Sequence, residues 1–337
     1  MTVLRVDTIS GIGSDGPVFD GDLEFNSQNF FVLPKGTTTD RSRGRAVFAG
    51  LGPNSSNTIS YLQIQSTGNS FDFGDLPRVG NRMRGSSSST RGLFAGQLDP
   101  ANDATVEYIT ISTTSNAISF GELTQGVNNT GMGSNETRAI NWEGTNPSTN
   151  TISYFTIATL GNAQEFGDMI PGVRHIDTMN SSTRSIIAGG WIHPAGNTNV
   201  IQYVTISTLG NSEEFGDVAA SGSLRGNAAF SSSTRGVYGG GADTPANAMQ
   251  NTIEYITMSS LGNGTDFGDL VTARRVEGGG TSNHIRGVFA GGYSPSPAFY
   301  NTIEYVNIAS TGNAADFGDL LESGTVGALS DSHGGLS

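Results

Sequence analysis

The chain has 337 residues, no cysteine, 48 glycines, 11 prolines, and 17 basic against 30 acidic side chains, for a formal charge of -13. That glycine content is too high for a helical protein, yet enough Ile, Val, Phe and Tyr remain to build an all-β core. The missing cysteine removes disulfides, zinc ribbons and thiol nucleophiles, and the negative balance without a Lys/Arg run argues against a nucleic-acid partner.

Residues 1–40 stand apart from everything that follows. They carry Gly11, Gly13 and Gly16 and short β-prone pieces without a helical period. The opening Met1-Thr-Val-Leu-Arg-Val-Asp-Thr lacks the basic start and apolar stretch of a secretory signal. The longest strongly apolar run, Phe30 to Leu33, is far short of the ~20 residues of a spanning helix, so no membrane insertion is expected. A segment that cannot bury itself finds its partner elsewhere, and Val3, Leu4, Val6, Phe19, Phe25, Phe30 and Phe31 are its apolar anchors. The competing expectation is a flexible tail or a strap on the rest of the chain.

From residue 41 onward the chain repeats. An arginine followed by apolar and small residues recurs at Arg45, Arg91, Arg138, Arg184, Arg235 and Arg286, spaced 46 to 51 residues apart. Next comes a strand of the type Asn-Thr-Ile-Glu-Tyr, its tyrosines at Tyr61, Tyr108, Tyr154, Tyr203, Tyr255 and Tyr305. A Gly-Asn turn leads to Phe-Gly-Asp, at Phe73, Phe120, Phe166, Phe215, Phe267 and Phe317, drifting to Phe-Gly-Glu in the second copy. A strand of Gly, Ser, Ala and Thr closes each unit. Ile303 and Tyr305 alternate with Val306 and Ile308, so the tyrosine strand is apolar on both faces and must be covered twice. Six units of four short strands predict a six-bladed β-propeller, with the small-residue strands at the crowded axis.

The first unit opens at Arg45 with the arginine strand, while the last small-residue strand, Ser323 to Ser330, has no arginine strand after it. This predicts that the final strand becomes the innermost strand of the first blade.

The apolar strand ending in Gly-Gly, the Asn-x-x-x-Tyr strand and the aromatic strand resemble kelch-type repeats, with Phe-Gly-Asp where those carry tryptophan and no Gly-Gly in the first three copies. The fuller wording, Asn-Thr-Ile-Glu-Tyr-Ile-Thr with Leu-Gly-Asn and Asp-Phe-Gly-Asp-Leu, is similar to kelch-like virion proteins of marine cyanobacterial phages, over residues 41–337. The leader, with Phe19-Asp-Gly-Asp-Leu-Glu-Phe25 and Phe31-Val-Leu-Pro-Lys-Gly36, resembles the openings of tail-associated proteins of such phages. The resemblance implies a tail-associated virion component localised to the phage particle, in contact with other tail proteins through residues 1–40. A homo-oligomeric or symmetric multi-copy arrangement fits that expectation.

No reaction is signalled. Asp-Phe-Gly at Asp72, Asp266 and Asp316 is a repeat word without the phosphate loop or catalytic loop of a kinase. His175, His193, His284 and His333 have no metal-binding spacing and read as ordinary loop or strand-end side chains, and no cofactor is expected. A galactose-oxidase-like site lacks its cysteine, and the Asp boxes of a sialidase are absent. The acidic residues after Phe-Gly (Asp75, Glu122, Asp168, Asp217, Asp269, Asp319) recur with the six arginines, which predicts that they pair or bond main-chain groups at the turns; a ring of carboxylates binding calcium is the rival reading. Trp142, where other copies have Ala or Gly, reads as local repacking.

Variation concentrates in the loops between the arginine and tyrosine strands, on one face of the disc. Trp191 and His193 in the fourth, and Tyr293, Phe299 and Tyr300 in the sixth, are the candidate contacts for host-surface glycan or a neighbouring virion subunit. The opposing expectation is that they fold back as lids on their own blades. The rival functions are a free carbohydrate-binding propeller lectin and a glycan-degrading depolymerase.

Overall fold

The computed structural model describes residues 44–50, 55–98, 101–144, 149–219, 224–243, 248–295 and 299–336. The proposed anchors Val3, Leu4, Val6, Phe19, Phe25, Phe30 and Phe31 lie outside the described residues.

Six antiparallel four-stranded sheets form the blades of a β-propeller. Each runs from the axis outward as small-residue strand, arginine strand, tyrosine strand and Phe-Gly-Asp strand. In blade 1 these are Gly327–Ser330, Arg45–Ala49, Ser56–Gln63 and Phe71–Gly80. Blade 1 is therefore completed by the last strand, with Ala46 opposite Ser330 and Ala49 opposite Gly327. The paired part of that strand is shorter than the Ser323 to Ser330 segment expected. Blade 4 carries an extra two-stranded hairpin, Trp191–Ile192 with Gly196–Asn197. Among the described residues the one helical element is the 3-10 turn Gly334–Leu336.

Six hydrophobic clusters lie between blades rather than within them. The Ile303 and Tyr305 side of blade 6 packs on Phe48 and Leu62 of blade 1, and the Val306 and Ile308 side packs on blade 5. Trp142 is fully buried in the cluster between blades 3 and 4 and donates its Nε1–H to Ser185 Oγ of blade 4 at 3.2 Å.

Phe-Gly-Asp has three jobs at these seams. Its Phe is the extra residue of a β-bulge, as between Ile152↔Gly167 and Ser153↔Glu165, which turns the ring inward. That ring meets the tyrosine of its own blade edge-on, at 5.9 Å for Tyr61–Phe73 and 6.1 Å for Tyr154–Phe166. The Gly lies under the Gly-Asn turn of the next blade: at Gly318, with φ +148°, a Cβ would drive into the Gly68 carbonyl. The Asp N–H donates to the Asn of that turn, as from Asp319 to Asn69 Oδ1 at 3.0 Å and from Asp168 to Asn211 Oδ1 at 3.0 Å.

The recurrent arginines do not pair with the recurrent acids. Each guanidinium lies over the tyrosine of its own blade, 4.4 Å from the ring centroid for Arg138–Tyr154 and 4.3 Å for Arg286–Tyr305. Each also donates to a carbonyl of the next blade, from Arg138 to Ile206 O at 2.7 Å and, across the closing seam, from Arg286 to Ile64 O at 3.1 Å. Main-chain bonding was expected at the turns. The carboxylate pairing gives way because a half-buried guanidinium gains more from a π face and a carbonyl that would otherwise lack a partner than from an exposed acid.

The turn leading into each arginine is made by one side-chain oxygen. Ser88, Asn135, Ser181, Ser232 and Asn283 each accept from the N–H of the arginine three residues on. At blade 1, Asp331 Oδ1 accepts from Arg45 N–H at 2.8 Å, so the same turn is reproduced without a covalent link.

Along the axis, hydroxyls replace side-chain packing. Ser134 donates to Ser87 O, Ser87 to Ser330 O, Ser330 to Ser282 O, Ser282 to Ser231 O and Ser231 to Asn180 O, at 2.6 to 2.8 Å. The space between them is a cavity of about 30 Å³, lined by these hydroxyls together with Met132, Phe230 and Leu329, on the scale of one or two water molecules. His333 closes its end on the turn face. Gly335 N–H donates to His333 Nδ1 at 3.1 Å, which leaves Nε2–H to donate to Ser87 O at 3.0 Å. His333 is thus no ordinary strand-end side chain but a buried plug.

Two outcomes follow from these contacts. Arg286→Ala removes a ring-stacked cation and its carbonyl bonds at the seam between blades 6 and 1. It is expected to cost about 2 kcal/mol in urea unfolding, and an unchanged midpoint would show the seam indifferent to it. Burial pulls the His333 pKa down from 6.5 to about 4 against the bond to Ser87. The unfolded chain therefore binds the extra proton first, and stability falls as pH drops from about 6.5 to 4, by up to about 3 kcal/mol. His333→Gln should flatten that part of the Tm-against-pH curve relative to the wild type.

Candidate functional site

The two faces of the disc differ in chemistry. The turn face holds the Gly-Asn and Ser-Ser-Thr turns, whose polar groups are taken up by the seams. The loop face holds the variable loops and the connections from each Phe-Gly-Asp strand to the next axial strand. Around the axis on this face five of the six connections place a residue in a left-handed backbone: Arg82 at φ 61°, Asn129 at 54°, His175 at 59°, Gly226 at 71° and Glu277 at 52°. That conformation costs a non-glycine residue of order 1 kcal/mol. It is held by a staircase of main-chain bonds: His175 N–H to Asn129 O at 2.7 Å, Gly226 N–H to His175 O at 2.8 Å and Glu277 N–H to Gly226 O at 3.1 Å.

The staircase gathers positive charge. Six of the described arginines form the seams, Arg78 pairs with Asp103 and Glu107, and Arg274 pairs with Glu304. The remaining five, Arg82, Arg84, Arg174, Arg225 and Arg275, all stand at this end of the axis. Arg84 is fully buried and crosses it, donating from Nε to Ile176 O at 3.1 Å and from NH1 to Met83 O at 3.0 Å. Asp177 lies nearby, accepting from Thr178 N–H and Ala229 N–H at 2.9 Å each.

Trp191 is the hub of the outer layer. The Arg225 guanidinium lies 4.1 Å from its ring centroid, that of Arg174 lies 5.2 Å away, and the His175 ring stacks at 6.2 Å. Arg275 links this group to blade 6, bonding His175 Nδ1 at 3.1 Å, the Glu277 carboxylate and the Tyr293 hydroxyl. Burial tends to push the Glu277 carboxyl up, but the Arg275 guanidinium, with His175 and Arg84, outweighs it and holds the group well below the usual carboxylate range. Burial lowers the His175 pKa to about 4, so the imidazole is neutral at pH 7.

Of the five side chains expected from sequence, the structure brings Trp191 and Tyr293 into this cluster. Phe299 is 38 % exposed and packs on Tyr293 with ring centroids 5.9 Å apart. Tyr300 instead faces Arg274 at 5.9 Å and shares a hydrogen bond with Ser294 at 3.1 Å. His193 is exposed between the two strands of the blade 4 hairpin. Sequence reading missed the arginines and His175. They lie outside the repeated words, and the one available signal was an arginine just before four of the small-residue strands: Arg82, Arg174, Arg225 and Arg275. Among the described residues no three His, Asp or Glu side chains come together as metal ligands.

No family model matches the sequence, and no curated protein does. Among solved structures the chain is similar to YjhT, with a TM-score of 0.64 and 11 % identity over 80 % of this chain and 94 % of that one. That likeness supports the propeller fold.

The Glu277–Arg275 contact is buried, so removing one partner strands the other. Glu277→Gln is expected to lower stability by about 3 kcal/mol, and adding Arg275→Met should recover at least half of the loss. Additive losses in a double-mutant cycle of denaturant midpoints would show that the two groups do not act as a pair.

Proposed function

We propose that the protein is a non-enzymatic structural component of a phage virion, tail-associated, anchored through residues 1–40 and binding through its loop face. The observation that carries this reading is the division of labour between the faces. The turn face is committed to inter-blade bonds, while the loop face combines variable loops with charged and aromatic side chains. Gly44, the first described residue, lies on the turn face, where its carbonyl accepts from Ile64 N–H at 2.8 Å. The resemblance of the repeat and leader to kelch-like phage proteins supplies the virion assignment.

The cluster's ionisation favours binding over hydrolysis. Burial, then the Glu277 charge, pushes the Tyr293 phenol up, and Glu277 is held well below the usual carboxylate range. Neither the nucleophile nor the general base of a tyrosine–glutamate pair is poised near neutrality.

The test is incorporation. Particles assembled with a chain lacking residues 1–40 are expected to lose the protein, as judged by mass spectrometry of purified virions, while the truncated chain folds with an unchanged Tm. Normal incorporation would overturn the anchoring role, and absence of the full chain from purified particles would favour a free propeller lectin.

A further inference from the structure

We propose that the axial mouth of the loop face binds a monoanionic saccharide, its carboxylate or sulfate group held by Arg82, Arg174 and Arg225 beside the Trp191 and Tyr293 rings. This rests on the reading of the loop face as the binding face and specifies what it takes.

The cluster holds more positive charge than it neutralises. Arg275 is answered by Glu277, and Arg84 is bonded to carbonyls with Asp177 nearby. Arg82 and Arg174 have no hydrogen bond or ion pair from their guanidinium groups among the described residues. Arg174 Nε, Trp191 Nε1 and the axial NH2 of Arg84 are buried without acceptors. Arg174 and Arg225 face one indole, at 5.2 and 4.1 Å from its ring centroid, so two like charges lie close together, with the Glu277 carboxylate acting on both. Burial, together with the neighbouring charges of Arg82 and Arg275, already works against the charge on Arg174. A planar guanidinium suits two-oxygen groups such as carboxylate and sulfate.

The class of ligand follows from what surrounds the arginines. Glu277 lies inside the cluster, so a second negative charge on the ligand meets a fixed carboxylate, which favours a monoanion over a phosphate monoester. The whole chain carries -13, so a polyanionic peptide or nucleic acid is repelled beyond the mouth while a single charged sugar is not. The Tyr293–Phe299 pair offers flat apolar surface beside the charge, as sugar rings require.

The test uses the full-length protein with four probes: glucuronate, glucose 6-sulfate, glucose 6-phosphate and glucose. Calorimetry gives the affinities, and tryptophan fluorescence locates the site, because the chain has two tryptophans and Trp142 is fully buried. Glucuronate or glucose 6-sulfate should bind at least about tenfold more tightly than glucose or glucose 6-phosphate, and the tighter of the two identifies the group recognised. Binding should weaken between about 50 and 500 mM salt. The Arg82→Ala/Arg174→Ala variant should lose about tenfold or more in affinity with a Tm no lower than that of the wild type, and Arg174→Lys should recover part of the affinity. Equal affinity for all four probes, tightest binding of the phosphate, or full affinity in the double alanine variant would overturn the inference. Labelled protein that adheres to bacterial cells without displacement by either monoanion would sink this inference and leave the loop-face reading standing; monoanion binding without adhesion would do the reverse.

Discussion

Every blade of this protein is apolar on both faces, and that single constraint dictates the rest. A sheet with Ile303 and Tyr305 on one side and Val306 and Ile308 on the other has no water-facing solution, so each blade must be sandwiched and the array must close. The polar parts of the repeat then serve the junctions. A guanidinium lies over its own blade's tyrosine and reaches the next blade's carbonyl, and a bulged Phe fills the gap beneath. The Gly admits the neighbouring turn, and an Asn takes the Asp N–H. A chain with few charged residues can hold six such seams because the contacts that recur at all of them involve no ion pair.

Closure without a covalent link explains the last strand and the residues beyond it. Asp331 supplies to Arg45 the same bond that Ser88 or Asn283 supplies within the continuous chain. The hydroxyl relay continues through Ser330 to Ser87 as it does elsewhere. His333 and the 3-10 turn then cover the axial end that these small side chains leave open. The axis is built from Gly and Ser because six strands converge there, and little space remains between them.

The repeat, the blade count, the order of strands and the closing strand were legible because seam chemistry must recur once per blade, and recurrence is what a sequence displays. The roles of the recurring charges were not. Arg138 and Asp168 read as partners by sign and spacing, yet one sits over a tyrosine ring while the other offers its main-chain N–H. The axial arginines were less legible still. Arg82, Arg174, Arg225 and Arg275 come from connections whose wording drifts, and only closure of the ring brings their side chains to one point. His175 reads as a scattered histidine in the chain and is a buried member of that cluster in the fold.

Placing five arginines at one end of the axis is expensive for a domain that could have used serine there, as it does a few ångströms deeper. The left-handed backbone at Arg82, His175 and Glu277 adds conformational strain to charge repulsion. The main-chain staircase and the Trp191 ring offset part of this, yet Arg174 and Arg84 retain unpartnered buried N–H groups. A rigid closed ring is what can sustain such a cost: the seams over-determine the backbone, so the mouth cannot relax by moving apart. Strain and unanswered charge held in place by a stiff scaffold mark a position where a ligand, rather than the fold, supplies the missing contacts.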